Sequence, residues 1–226
     1  MKHSNPRLRR YNRLSLLALA ALLAAFFVAG SAASPAAATS GGGLQLTSPT
    51  KESPAAGSAS RFGVRVLRQG MTGPDVKVLK GLVRSQELLS GTAVTSNFDP
   101  PTERAVRKFQ RRADISTTGV VTRTTARELV SSMATSVASW YGPGLFGNTT
   151  ACGQTLRPGT MGVAHKSLPC GSKVMIGYRG RFVITRVIDR GPYSHGRTWD
   201  LTQAVQRALH FDIGVGRVRH AVINRR

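Results

Sequence analysis

Two aspartates eleven residues apart, in the segment VIDRGPYSHGRTWDLT (Val187 to Thr202), carry the clearest chemical signal in this 226-residue chain. From Ala134 to the C-terminus there are thirteen Lys and Arg, no Glu and three Asp, and Asp189 and Asp200 are two of the three. A basic domain that keeps its few acids together among Gly, Pro, Tyr and His has the makings of an acid/base site, because a positioned carboxyl group can give and later take back a proton. Asp189 ends the apolar run FVITRVI and is followed by Arg190-Gly191-Pro192, a turn that fixes the chain and exposes the carboxylate. Its competing role is to bond its own turn amides. Asp200 precedes LTQAVQRAL, so it either anchors the start of a helix through backbone amides or contacts a ligand. His165, in AHKSLP, orients Asp189, bonds a ligand hydroxyl or is structural. Trp140 and Tyr141 offer faces for sugar rings or side chains for a core, and Tyr193 joins them as a binding candidate. Gln154 cannot transfer a proton, although its amide can bond a hydroxyl.

The elements that must hold these residues change character along the chain. GPDVKVLKGLV predicts a helix with Asp75 near its start and Val76, Leu79, Leu82 and Val83 on one face. NFDPPTERAVRKFQRRA predicts a second, with Asp99 as N-cap, Pro100 at the first helical position and Ala105, Val106 and Phe109 as its stripe. VVTRTTARELVSSM predicts a third, capped by Thr122, with Ala126, Leu129 and Val130 inward. Beyond Met133 the runs SVASWYG, SKVMIGYR, RFVITRVID and RVRHAVI are rich in Val, Ile and aromatics and bounded by Gly and Pro. One short helix, DLTQAVQRALHF, is capped by Thr202. A three-helix module followed by a compact β-barrel is the expected architecture.

The N-terminus reads as an export signal over residues 1–33: Lys2, Arg7, Arg9, Arg10 and Arg13, then the apolar Leu14 to Gly30, then Ser31-Ala32-Ala33. The apolar run is at the lower limit for a membrane span, so no stable span is expected after cleavage. Residues 34–61 are Ala, Ser, Gly, Thr and Pro with few large apolar side chains and read as a disordered linker. The formal charge is +22, and removing the signal leaves +17. Such a cation is drawn to polyanions. The absence of zinc spacing and RNA-binding aromatics, together with export, points away from nucleic acid and toward an anionic wall or membrane surface. Cys152 and Cys170, the two cysteines, suit a disulfide in an exported protein; a free buried pair is the alternative. Two cysteines alone make no four-ligand zinc site, and no cofactor motif is present.

LRQGMTGPDVKVLKGLV, FDPPTERAVRKFQ and TGVVTRTTARELV resemble the peptidoglycan-binding domain 1 family over Val66 to Val130, departing from its pattern at Thr95 to Asp99. ASWYGPGLFGNTTACGQ, AHKSLPCGSKV and VIDRGPYSHGRTWDLT resemble the rare lipoprotein A family over Ala138 to Ile223. That resemblance implies a six-stranded double-psi β-barrel with one short helix. It also implies a lytic transglycosylase that cuts peptidoglycan between MurNAc and GlcNAc and leaves 1,6-anhydro ends. It implies Asp189 and His165 as catalytic, and Trp140, Tyr141, Gln154, Tyr193 and Asp200 stand as the substrate-binding candidates. The family has Glu where this chain has Gln154, which raises the alternative of an expansin-like protein that binds glycan and loosens the wall without cutting it. The family also has Asn and Phe at the positions of Cys152 and Cys170, which supports a bond between the two. The expected organisation is a signal (1–33), a linker (34–61), a helical peptidoglycan-binding domain (62–132) and the barrel (135–226). The protein is expected outside the cell on the wall, with peptidoglycan strands and anionic wall polymers as partners.

Overall fold

The computed structural model describes residues 58–91 and 93–224. The export signal and most of the 34–61 linker lie outside the described residues.

The helical part forms as its sequence dictates. Helix α1 (Pro74–Ser85) starts with a proline, carries Asp75 in its first turn and buries Val76, Leu79, Leu82 and Val83 completely. Asp75 receives Arg65 in a two-point bond at 2.6 and 2.8 Å. Helix α2 (Pro100–Arg112) is capped by Asp99, whose carboxylate accepts from the Thr102 amide at 3.0 Å. Helix α3 (Arg123–Ser131) is capped by Thr122. Gln110 is fully buried and bonds the Gly119 amide (2.8 Å), the Val120 carbonyl (2.8 Å) and the Thr125 hydroxyl (3.2 Å), fastening the α2–α3 turn. Lys80 is also fully buried; its ammonium pairs with Asp99 at 2.7 Å and bonds the Thr95 hydroxyl at 2.9 Å. Burial opposes ionisation of Asp99, but Lys80 and Thr102 outweigh it and hold that carboxyl below its ordinary range. The Thr95–Asp99 stretch is therefore clamped from beneath by a lysine.

The second part closes on itself. Strands β2 (Ala134–Tyr141), β3 (Val163–Ala164), β4 (Lys173–Tyr178), β5 (Arg181–Asp189), β6 (Trp199–Thr202) and β7 (Val215–Asn224) are hydrogen-bonded in the order β5-β3-β6-β2-β7-β4, and β4 pairs back with β5. The result is a six-stranded barrel with one helix, α4 (Gln203–Leu209), capped by Thr202. Parallel pairs β2–β6 and β3–β5 sit beside antiparallel ones. Ala138, Val163, Val174, Ile176, Val187, Leu201 and Val218 belong to the core of the barrel.

The two parts share one core. Met175, Phe182 and Ile223 of the barrel pack with the buried residues of all three helices, and Ile184 and Ala221 lie against the same cluster. Gly81 of α1 makes this approach possible: a Cβ there would stand 2.5 Å from Met175 Cε and 3.2 Å from Ile184 and Ile223 methyls. Ser60 and Arg61, at the end of the segment read as linker, form strand β1 and pair antiparallel with Phe182 and Arg181 of β5. Arg219 of β7 donates to the Val130 carbonyl at 2.9 Å, at the C-terminal end of α3. Among the described residues no helix is long and apolar enough to cross a membrane.

Candidate active site

Strand pairing brings the two aspartates together. Ala164 of β3 pairs with Asp189 of β5 on one side and with Asp200 of β6 on the other. The two carboxylates thus flank one small residue from strands two positions apart, which puts their Cα atoms on the order of 10 Å apart. Strand β2 adds the next pair. Ser139 is in register with Asp200, and Tyr141 with Thr202, so Ser139, Tyr141 and Asp200 share one face. Trp140 alternates to the opposite face, where it packs against the barrel core.

The two carboxyl groups have different surroundings. One Asp189 oxygen accepts from the Ala151 amide at 2.9 Å and from its own neighbour Arg190 at 2.8 Å. The turn-amide role is therefore real for that oxygen. Asp200 is half-buried, and its Oδ1 has no hydrogen-bond partner. Burial pushes its pKa above the ordinary carboxylate range, the negative charge of Asp189 adds to that, and Ser139 and Arg197 oppose it. Asp200 does not anchor the following helix: the Thr202 hydroxyl accepts the Val205 amide at 3.5 Å and also the Gly162 amide at 3.2 Å. The shorter side chain sits at the true cap, two residues later, and Asp200 is left to the site.

The Tyr141 hydroxyl is buried and completes no hydrogen bond to the protein. Burial first, then the charge of Asp189 and a hydrogen-bonding approach to that carboxylate, and last the charge of Asp200, hold its proton on well beyond the ordinary phenol range. It is a neutral O–H beside two carboxyl groups. Ser139 Oγ and Trp199 Nε1 are likewise buried without partners. A buried polar atom without a partner is costly and rare, and the three on one face of β2 and β6, from Ser139, Tyr141 and Asp200, suit a surface that a polar ligand completes; Trp199 lies on the other face, in the barrel core.

His165 follows β3. Its Nδ1 accepts from the Ser167 and Leu168 amides at 3.2 and 3.0 Å, which leaves the proton on Nε2. Burial lowers its pKa, and Arg190 and Lys166 add to this, so the ring is a neutral donor. It packs on Trp199 with centroids 4.6 Å apart, and its own amide bonds the Asp189 carbonyl at 3.2 Å. It meets Asp189 through backbone, not through the carboxylate.

Cys152 and Cys170 form a disulfide with Cα atoms 5.7 Å apart. The bond ties the loop after β2 to the turn after β3, and the same loop delivers the Ala151 amide to Asp189. Gln154 lies exposed on this loop, its backbone held by Thr150. Tyr193 is 82% exposed beyond the Asp189 turn. Neither reaches the carboxyl pair by a side-chain hydrogen bond in this structure. Sequence reasoning missed Ser139; the period-2 alternation of ASWY and WDLT, read in register, was the signal that could have found it. Among the described residues no group of three His, Cys, Asp or Glu side chains could hold a metal ion.

With that geometry in place, comparison gives it a lineage. Residues 133–220 match the family model described as lytic transglycolase, a double-psi β-barrel family, and residues 72–129 match a peptidoglycan binding domain family. A Synechocystis protein named "Probable endolytic peptidoglycan transglycosylase RlpA" is 40% identical over 85 residues, covering 36% of this chain and 26% of the relative. The Yersinia pestis "Endolytic peptidoglycan transglycosylase RlpA" is 42% identical over 76 residues, covering 33% and 21%. The Pasteurella multocida protein of the same name is 38% identical over 109 residues, covering 46% and 37%. The matched stretch thus spans between a fifth and two fifths of the length of these relatives.

Proposed function

We propose that this chain, an RlpA-like double-psi barrel protein with a peptidoglycan-binding helical module, is a lytic transglycosylase acting on the glycan strands of peptidoglycan. The observation that carries the reading is the carboxyl pair flanking Ala164, one member raised in pKa by burial and the other accepting two backbone amides through one oxygen. Two carboxyl groups whose environments differ in this way divide acid and charge-stabilising roles. Asp200, whose protonated form burial favours, gives its proton to the GlcNAc O4 as the bond from MurNAc C1 breaks. Asp189 faces the oxocarbenium-like centre as a carboxylate. The MurNAc C6 hydroxyl then bonds to C1, and its proton passes to Asp200, which restores the starting state without water. Tyr141 and Ser139 supply unpartnered hydroxyls and His165 an Nε2–H to sugar oxygens. The exposed Tyr193 ring and the amide of Gln154 extend contact along the strand, and Trp140 supports them from the core side.

In this proposal Asp200 takes the role of acid, with Asp189, the acid candidate from sequence, kept as its catalytic partner. Burial favours the protonated form of Asp200, which suits a proton donor, whereas one Asp189 oxygen is occupied by two backbone amides. This scheme needs no carboxylate at position 154. The helical domain (62–132) grips peptidoglycan and the barrel (135–226) cuts it, outside the cell and on the wall, after an export signal is removed.

The test is mass spectrometry of soluble products from purified peptidoglycan. Wild type releases anhydro-ended fragments, and Asp200→Asn releases none while still sedimenting with insoluble wall. If wild type binds wall but frees no anhydro product, the enzymatic reading is abandoned in favour of glycan binding alone.

A further inference from the structure

A second, unrelated cleft lies at the opposite end of β5 from Asp189. It has a volume of about 360 Å³, within the size range of small-ligand sites, and is lined by Val130 at the end of α3, Tyr178, Phe182 and three arginines, Arg179, Arg217 and Arg219. No carboxylate lines it. Asp189 ends the strand that Arg181 begins, so the cleft stands roughly 26 Å from the carboxyl pair along that strand, at about 3.3 Å per residue.

The arginines are not spent on internal ion pairs. The Arg217 side chain makes no hydrogen bond or ion pair among the described residues. Arg219 uses one nitrogen on the Val130 and Ser131 carbonyls, at 2.9 and 3.5 Å, which aims its guanidinium across the junction of helix and barrel. Arg179 sits in the β4–β5 turn with φ 45°, a left-handed position that Asn or Gly ordinarily fills. Its guanidinium lies 5.1 Å over the Tyr178 ring. Arg61 and Arg181, paired in register, stand at the foot of the same turn. A fixed fork of donors facing a cleft free of acid suits phosphate oxygens, which guanidinium groups grip at two points.

We infer that this arginine cleft between the helical module and the barrel is a binding site for a phosphodiester polyanion of the cell wall, separate from the glycan-cutting site. The choice of wall polymer rests on the wall-acting reading above. Nucleic acid fits the lining poorly. Binding a single strand calls for open aromatic faces on which bases stack. Here the Tyr178 ring packs edge-on against Phe211 at 4.9 Å and is covered by Arg179, while Phe182 is buried against Phe62. Held there, the polymer anchors the protein through the rigid junction and leaves the carboxyl pair free for glycan.

The test measures affinity of the full chain for a short poly(glycerol phosphate), with poly-glutamate and single-stranded oligothymidylate of matched charge alongside. Arg179→Gln with Arg217→Gln is compared with Arg104→Gln and Arg111→Gln, which remove the same charge from the exposed side of α2. The cleft variant should lose about tenfold or more at fixed salt, and its log affinity against log salt should flatten by about 1.4, two phosphate contacts at about 0.7 each. The α2 variant should keep the wild-type slope to within about half that change. Equal loss in both variants overturns the site, since the attraction is then diffuse charge. Absence of wild-type binding overturns it as well. Equal or tighter binding of oligothymidylate, lost in the cleft variant, overturns the wall-polymer assignment. Asp200→Asn should bind poly(glycerol phosphate) as wild type does, so a failure of the glycan-cutting reading and a failure of this one are separately visible.

Discussion

The helical module and the barrel treat buried polar groups in opposite ways. In the module Lys80, Thr102, Gln110 and Thr125 are all buried, and each ends in a hydrogen bond or ion pair. In the barrel Ser139, Tyr141, Ser172, Trp199 and Asp200 keep buried atoms with no partner, and these are the unpartnered side-chain atoms among the described residues. Three of the five, from Ser139, Tyr141 and Asp200, share one face of β2 and β6 beside the carboxyl pair. A fold that satisfies a fully buried lysine has the means to satisfy an aspartate. The difference therefore marks where stability is given up: the module's polar groups hold the chain, and the barrel's wait for substrate.

The comparison breaks most sharply at Asp200. Asp200→Asn keeps the shape and removes the transferable proton, so release of anhydro products should fall by about 10²- to 10⁴-fold. Stability should move the other way. The folded-state pKa of Asp200 lies above its unfolded value, so its favourable contribution is complete below the ordinary carboxylate range and is lost as pH rises through the raised value. At neutral pH the Asn variant should melt no lower than wild type, and any gain should vanish in acid. Activity of wild type should decline over that same rise in pH, as the donor loses its proton. A variant that is inactive because it is unfolded would sink the assignment.

Lys80 is the converse case. Lys80→Met leaves Asp99 without its ion pair and Thr95 without its donor, and should cost about 3 kcal/mol in a denaturant titration, with anhydro-product release per folded molecule unchanged. A cost below about 0.5 kcal/mol, the usual span of surface substitutions, would mean the buried ammonium is not what holds the Thr95–Asp99 stretch. Smaller still is Gly81→Ala. The added methyl meets Met175, Ile184 and Ile223 of the barrel, and overpacking of this kind costs about 1–3 kcal/mol. Because the cost falls on the shared core, the unfolding transition should shift as one. Two separated transitions would show that module and barrel melt independently.

Much of this was legible in sequence, for physical reasons that differ by part. The helices announce themselves through caps and stripes: Asp99-Pro100, Thr122 and Thr202 all act where the pattern puts them. The barrel's strands show as β-branched runs, and the gathering of Asp189 with Asp200 followed from motif and family resemblance. Three things did not show. The docking of α1 on the barrel rests on Gly81, and one glycine in a helix says nothing of what lies against it. The division of roles between the aspartates depends on burial and on the Ala151 amide, 38 residues away in the chain. The arginine cleft is assembled from a turn and one edge of β7, which no local pattern joins.

The smallest effect is expected at Gln154, where the family resemblance has Glu. Its side chain is exposed on the disulfide-tied loop, away from the unpartnered cluster, and its backbone is already fixed by Thr150. A carboxylate placed there acts through water, where unit charges interact by only about 1 kcal/mol even at 4 Å. Gln154→Glu should therefore change the initial rate of anhydro-product release by less than about fivefold, with a modest dependence on salt. The substitution discriminates between two accounts of the barrel. If Asp200 and Asp189 supply the whole acid and charge-stabilising machinery, a third carboxyl at the rim alters little more than sugar contact. If the rate instead climbs by a hundredfold or more, the barrel's unsatisfied cluster is incomplete as a catalyst, and the loop that bears position 154 closes onto the glycan to finish it.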